Sequence, residues 1–190
     1  MHADAIRYLI LPGWQNSGPD HWQTHWEQLL PNSARVEQAD WQAPVRSAWV
    51  QALDDALSAS DQPAMLIAHS LGCITVAHWA ALASPAALAK VRGALLVAPA
   101  DVERANCPAA LAGFAPIPRQ PFPFPSVLVG SDNDPAASAA RALELARAWG
   151  SEAGVLAGAG HINAKAGFHQ WEQGFAYLYR LQTRLRQRAA

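Results

Sequence analysis

No Asp, Glu, Lys or Arg occurs between Asp61 and Lys90. An uncharged run of that length has two physical destinations, a bilayer or a protein interior covered on both faces. His69, Ser70, Gly72, His78 and Pro85 interrupt it, which argues against a membrane span. The run divides instead into an apolar strand, Met65-Leu66-Ile67, a turn, Ala68-His69-Ser70-Leu71-Gly72, and a helix-compatible segment from Cys73 to Ala83. It therefore reads as the buried centre of an α/β domain, in which a strand turns sharply into a helix.

The flanking chain repeats this alternation. Ile6 to Leu11 is apolar with little alternation, as in a strand covered on both sides. Pro12 to Gly18 is a loop, and Pro19 and Asp20 open a helix carrying Trp22, Trp26, Leu29 and Leu30 at helical spacing. Ala34 to Gln38 reads as a short strand. Val45 to Leu57 reads as a helix with Val45, Trp49, Leu53 and Leu57 on one face. Val91 to Ala98 is a strand, followed by a proline-rich connection from Pro99 to Pro125. Strand Ser126 to Val129, helix Pro135 to Trp149, strand Glu152 to Ala157 and a terminal helix from about Phe168 to Arg186 complete the pattern. Such alternation implies about six mostly parallel strands with helices on both faces, in a single α/β domain over residues 1–190. No internal repeat or linker divides it.

Composition narrows the classes of function. Hydrophobic residues make up 51% of the chain and charged ones 15%, so it has a core to bury and is not a disordered segment. A net charge of −1 makes nucleic acid and anionic membranes poor partners. Cys73 and Cys107 form neither a metal-ligand spacing nor a disulfide framework, and no secretory pattern precedes Ile6, so a reducing cytoplasm is expected.

Chemistry-bearing residues recur at strand ends. Ser70 follows the apolar run; Gly130-Ser131-Asp132-Asn133-Asp134-Pro135 follows Val127-Leu128-Val129; Gly158-Ala159-Gly160-His161 follows Val155-Leu156-Ala157. Serine, acid and histidine in that order at successive strand ends is the order of α/β-hydrolases. The pentapeptide around Ser70 is their nucleophile elbow, with Ala68 in place of the first glycine. A serine hydroxyl is a weak nucleophile, so it needs a base, for which His161 is the candidate, and the base needs an acid to orient it. Asp134 is the choice for that acid, with Asp132 the close competitor and Asp101 a remoter one. The backbone N–H groups of Leu71, opening a helix, and Trp14, after the first strand, are the expected oxyanion donors. Taken singly, Ser70 and Asp134 also read as helix caps and His161 as a turn residue. Their joint order and placement favour the catalytic reading.

Other side chains have plainer readings. His21 and His25 have an i, i+4 spacing that can bind zinc, but the motif's glutamate and a third ligand are missing, so no metal is expected. His69 and His78 read as packed or surface histidines. Trp22, Trp26, Trp49 and Trp149 lie at helical spacing and read as core. Trp14, in the loop beside the expected oxyanion hole, is a candidate wall of an acyl pocket, and Phe114, Phe122 and Phe124 in the proline-rich connection are candidate rim residues or cover for the helix layer.

Leu11-Pro12-Gly13-Trp14, Asn16-Ser17-Gly18-Pro19, His21-Trp22, Asp40-Trp41 with Pro44, Ala68 to Gly72, Asn133-Asp134-Pro135 and Gly160-His161-Ile162-Asn163-Ala164 together resemble the retinoblastoma-binding-protein-9 and YdeN family of small serine hydrolases over nearly the whole chain. The resemblance implies an α/β-hydrolase fold without a large cap domain, triad roles for Ser70, Asp134 and His161, and no cofactor. Ala136, Ala137 and Lys165 depart from the family's usual residues near the site. The expected activity is hydrolysis of small carboxylic esters, or of amides or thioesters, through an acyl-enzyme intermediate. The alternatives are a protein-binding module on the same fold, or an acyltransferase or C–C hydrolase using the same triad. A small-molecule ester or amide is the expected partner, and the sequence does not indicate a protein partner.

Overall fold

In the computed structural model, residues 6–189 are described, with side chains through Arg184. The chain runs through β1 (Arg7–Leu11), α1 (Trp22–Leu29), β2 (Ser33–Arg35), α2 (Arg46–Ser58), β3 (Ala64–His69), α3 (Leu71–Leu82), α4 (Pro85–Lys90), β4 (Val91–Val97), β5 (Ser126–Ser131), α5 (Ala139–Trp149), β6 (Glu152–Leu156) and α6 (Phe175–Ala189), with short 3₁₀ turns at Ala109–Phe114, Ala164–Ala166 and Glu172–Gly174. The strands form one sheet in the order β2-β1-β3-β4-β5-β6, and every pairing is parallel. From β1 the chain steps outward to β2, then returns past β1 to β3 and continues the other way. The carboxyl ends of β1 and β3 therefore flank the point where strand order reverses, which is where open α/β sheets hold their ligands.

Side-chain alternation divides the core. Leu66 and Ala68 of β3 face α2, α3 and α5, among Trp49, Leu53, Trp79 and Leu145. Met65 and Ile67 face α1 and α6, among Trp22, Trp26, Leu178 and Leu181. Full burial of a Leu, Ile or Met side chain contributes about 1.5–3 kcal/mol, so the uncharged run is held where its composition is most stabilising. Trp22, Trp26, Trp49 and Trp149 are all buried, and Trp79 joins them. Their indole N–H groups donate to Ile162 O, Gln170 O, Asp40 O, Pro118 O and, from Trp79, to an Asp54 carboxylate oxygen. No helix among the described residues is long and apolar enough to cross a membrane.

Several boundaries differ from the sequence expectation. The uncharged run holds a second helix, α4, whose start is written as Ser84-Pro85: the serine side chain accepts from Ala87 N–H and the proline sits in the first turn. Helix α1 starts at Trp22, with His21 as its cap rather than Pro19 as its opening. Helix α5 starts at Ala139, capped by Ser138, because Pro135 to Ala137 are spent on a turn. The terminal helix begins at Phe175, not Phe168. Gly167 at φ +86° and Trp171 at φ +45° break the earlier stretch, and Trp171 is buried against Trp22 and Trp26 at ring separations of 5.1 and 5.7 Å. That aromatic packing overrides local helical preference.

Candidate active site

Strand β3 ends at His69 and α3 begins at Leu71, so Ser70 alone makes the turn, at φ 55° and ψ −120°. A non-glycine residue in that region is strained and is held there by its surroundings. Its N–H donates to Val97 O at 3.0 Å, and its carbonyl accepts from Cys73 N–H at 3.0 Å. Ser70 occupies the cap position of α3, but its side chain makes no cap bond. The hydroxyl instead donates to His161 Nε2 at 2.8 Å. Close approach of the neighbouring loop explains two glycines. A Cβ on Gly72 would fall 2.3 Å from Leu11 O, and one on Gly13 would fall 2.7 Å from Ser70 Cβ.

His161 lies with its ring Nδ1 at 2.9 Å from both carboxylate oxygens of Asp134. One of those oxygens also accepts from Ala136 N–H at 2.7 Å. Asp134 is thus both a turn-forming residue and the partner of the histidine. An Nδ1–H donated to this carboxylate leaves Nε2 as the acceptor facing the serine hydroxyl. The carboxylate is 2% exposed and the imidazole 18%, so the acid is shielded from water and the ring is partly open to it.

The loop after β5 holds the histidine loop residue by residue. Asp132 accepts from Gly158 N–H at 2.8 Å, the Ser131 hydroxyl oxygen from Ala159 N–H at 3.1 Å, and the Asn133 side-chain oxygen from Gly160 N–H at 2.7 Å. Asp132 therefore meets the backbone of the histidine loop while Asp134 meets the ring. Asp101 lies in a separate ion cluster. Its carboxylate takes Arg141 at 3.1 Å and Glu103 N–H at 3.0 Å, and Arg141 also pairs with Glu103 and Glu144. That cluster fastens the long connection to α5.

The N–H groups of Leu71 and Trp14 donate to no other group among the described residues. The two backbones adjoin, since a Cβ on Gly13 would lie 3.2 Å from Leu71 N. The Trp14 loop is firmly held. Arg35 donates to Asn16 Oδ1 at 2.8 Å and Ser17 O at 2.9 Å while pairing with Glu27 at 2.8 Å, and the Trp14 indole donates to Gln42 O at 2.8 Å. Gln23, fully buried, donates to Leu11 O at 3.1 Å and Ile67 O at 3.0 Å and accepts the Ser17 hydroxyl at 2.7 Å. It joins β1, β3 and the loop at the reversal point. Arg35 and Gln23 belong to no motif of the sequence. A glutamine between two buried tryptophans is the only local hint, because its partners lie far away in the chain.

The three phenylalanines, expected as rim residues or as cover for the helix layer, pack as that cover. Phe114 is fully buried, edge-on to Trp49 at 5.9 Å, and its carbonyl accepts from His78 Nε2–H at 2.7 Å. Phe122 and Phe124 immediately precede β5 and stack on each other, and Phe122 also stacks on Trp149, at the amino ends of the strands, opposite to the end that carries Ser70. A connection that leaves the carboxyl end of β4 must reach the amino end of β5, and its aromatic residues fall at the far end of that path. Trp14 is the one of the four beside Ser70, half-buried against the α2 and α3 side of the core.

Beneath His161 lie two further imidazoles. The His69 ring is 4.8 Å from both the His161 and the His21 rings. His21 accepts from Gln23 N–H at 3.2 Å. Burial, the His161 ring and Arg35 together press its pKa down to about 3. Burial, with the two neighbouring imidazoles, presses that of His69 well below the usual histidine range. Both rings are neutral near neutral pH. Among the described residues no group of three His, Cys, Asp or Glu side chains is arranged to hold a metal ion.

A family model described as Serine hydrolase matches residues 8–180. Among solved structures, one described as a YdeN-like hydrolase of Pectobacterium atrosepticum aligns at a TM-score of 0.82 and 34% identity over 95% of this chain and 92% of that one. The ydeN gene product of B. subtilis aligns at 0.73 and 16% identity over 94% and 98% of the two chains. An esterase of Rhodococcus aligns at 0.67 and 12% identity over 95% and 90%. The last two speak for the fold alone. No curated protein matches the chain.

Proposed function

Because the chain belongs to the Serine hydrolase family, we propose that Ser70, His161 and Asp134 are its catalytic triad and that it hydrolyses small carboxylic esters. The observation that carries this reading is the unbroken hydrogen-bond line from the Ser70 hydroxyl to His161 Nε2 at 2.8 Å and from His161 Nδ1 to Asp134 at 2.9 Å. As Ser70 Oγ bonds to the substrate carbonyl carbon, its proton passes to His161 Nε2, and the Asp134 carboxylate stabilises the imidazolium. The N–H groups of Leu71 and Trp14 receive the oxyanion at the positive end of α3. Collapse breaks the ester C–O bond, the alcohol leaves with the proton from His161, and the acyl group remains on Ser70. Water, deprotonated by the same ring, then releases the acid and restores the serine.

Esters are favoured over amides on chemical grounds, since an alkoxide leaves more readily than an amide nitrogen. Within the family we infer a kinship to the YdeN-like and retinoblastoma-binding-protein-9 group, on the motifs around Trp14, Ser70, Asp134 and His161. The working compartment is a reducing cytoplasm, which the free thiols of Cys73 and Cys107 fit.

The test is intact-mass analysis after reaction with a fluorophosphonate probe, on wild type, Ser70→Ala and His161→Ala. Labelling at a single site, lost in both variants, is expected. A folded wild type that takes no label overturns the reading and brings the protein-binding alternative forward.

A further inference from the structure

On the α1 and α6 side of the sheet, two buried ring donors grip consecutive carbonyls of the histidine loop. His69 Nε2–H donates to His161 O at 2.9 Å, and Trp22 Nε1–H donates to Ile162 O at 2.9 Å. Ile162 is at φ +46°, a left-handed conformation that a β-branched residue adopts only where its surroundings impose it. Trp22 is fully buried and His69 is 4% exposed, so neither bond is exchanged readily with water.

We infer that His69 is a positioning residue for His161, tying the backbone of the base to the turn that carries the nucleophile. The inference rests on the triad reading above. His69 directly precedes Ser70, so its bond to His161 O makes the end of β3 a common support for both reacting groups. Any shift of that strand end carries His161 with it, and the spacing between Nε2 and Oγ is kept. Asp134 sets the orientation of the ring, whereas His69 sets where its backbone stands. The titratable groups facing His69 are the His21 and His161 rings. A neutral His69 adds no positive charge beside the imidazolium formed on His161.

Three variants separate the bond from mere packing. His69→Gln puts an amide N–H near the position of Nε2, His69→Phe keeps a ring without a donor, and His69→Asn keeps polarity but falls short of the carbonyl. Two quantities are measured for each: the rate of fluorophosphonate inactivation as a function of pH, and the downfield NMR resonance of His161 Nδ1–H. Expected are a near-wild-type rate and a retained resonance for Gln. For Phe and Asn the rate should fall on the order of 10²-fold, as for an ångström-scale misplacement, with the resonance lost or broadened and the pH profile shifted. Should Phe fail to fold, the contrast between Gln and Asn decides. Equal losses in Gln and Phe, or a wild-type rate and resonance in Phe and Asn, overturn the inference. If wild type takes no label at all, the hydrolase reading falls, while the resonance comparison still decides the positioning role.

Discussion

At the carboxyl ends of β3, β4 and β6 the chain turns on left-handed residues and polar bonds, with Ser70 at φ 55°, Ala98 at φ 47° and Ile162 at φ 46°. At the amino end of β5 it turns on stacked rings, Phe122 lying 5.2 Å from Phe124 and 5.3 Å from Trp149. Both ends are well packed, but they are held by different forces. Hydrogen bonds are directional and short-ranged, so a ladder such as Ser131 to Asp134 on Gly158 to His161 places each atom in one position. Ring stacking and burial depend mainly on area and tolerate small displacements. The first kind of edge suits groups that must meet within a few tenths of an ångström, and the second suits holding the sheet together.

The largest expected break in this contrast is at Ser70. Ser70→Ala and His161→Ala should each lower ester turnover on the order of 10⁶-fold at unchanged unfolding midpoint, and the double variant should be no worse, because a triad acts as a unit. Kinetics and denaturant melts on the same samples check it. Asp134→Asn comes next, with a loss on the order of 10³–10⁴-fold, since an amide favours the wrong imidazole tautomer. At the other edge the sign of the contrast reverses. Phe124→Ala should cost about 3 kcal/mol of stability, as for a buried aromatic truncation, and leave kcat/KM of the remaining folded enzyme unchanged.

A pH series sharpens the comparison from a third side. The folded chain holds His21 near 3 and His69 well below its usual range, while the unfolded chain protonates both near 6.5. Below that value the unfolded state binds more protons. Stability should therefore be fully present above about 6.5 and fall as pH drops toward 3, by up to about 1.4 kcal/mol per pH unit for each histidine. Urea midpoints across that window should show the slope, and His69→Gln should flatten it. The smallest effect is expected at Asp132→Asn, whose side-chain oxygen still accepts from Gly158 N–H; its turnover should stay within about threefold of wild type. A collapse there with Asp134→Asn nearly silent would reverse the assignment of the acid.

Much of the fold was legible because its signals are local. Short apolar runs, wholly uncharged in β3 and β5, mark the strands, and their alternation with helical patterns required a parallel sheet. The order of Ser70, the acidic loop and His161 was legible for the same reason, each lying just past such a run. The start of α4 was written in Ser84-Pro85 and passed over because the surrounding apolarity concealed it. The breaks at Gly167 and Trp171 were not legible. Trp171 leaves helical geometry to pack against Trp22 and Trp26, far away in the chain.

By itself, the sequence determined the buried strands at the centre of the sheet, where the chain turns sharply, and which chemical groups stand at the turns. Burial, turn formation and residue chemistry are properties of short stretches, so they survive without knowledge of the rest. Only the tertiary structure decided that Asp134 meets the imidazole while Asp132 meets a backbone N–H, that Phe122 and Phe124 lie at the strand ends opposite to Ser70, and that His69, Trp22, Gln23 and Arg35 hold the loops around it. Each of these depends on a directional contact between residues distant in sequence, whose geometry exists only once the sheet has brought their strand ends together.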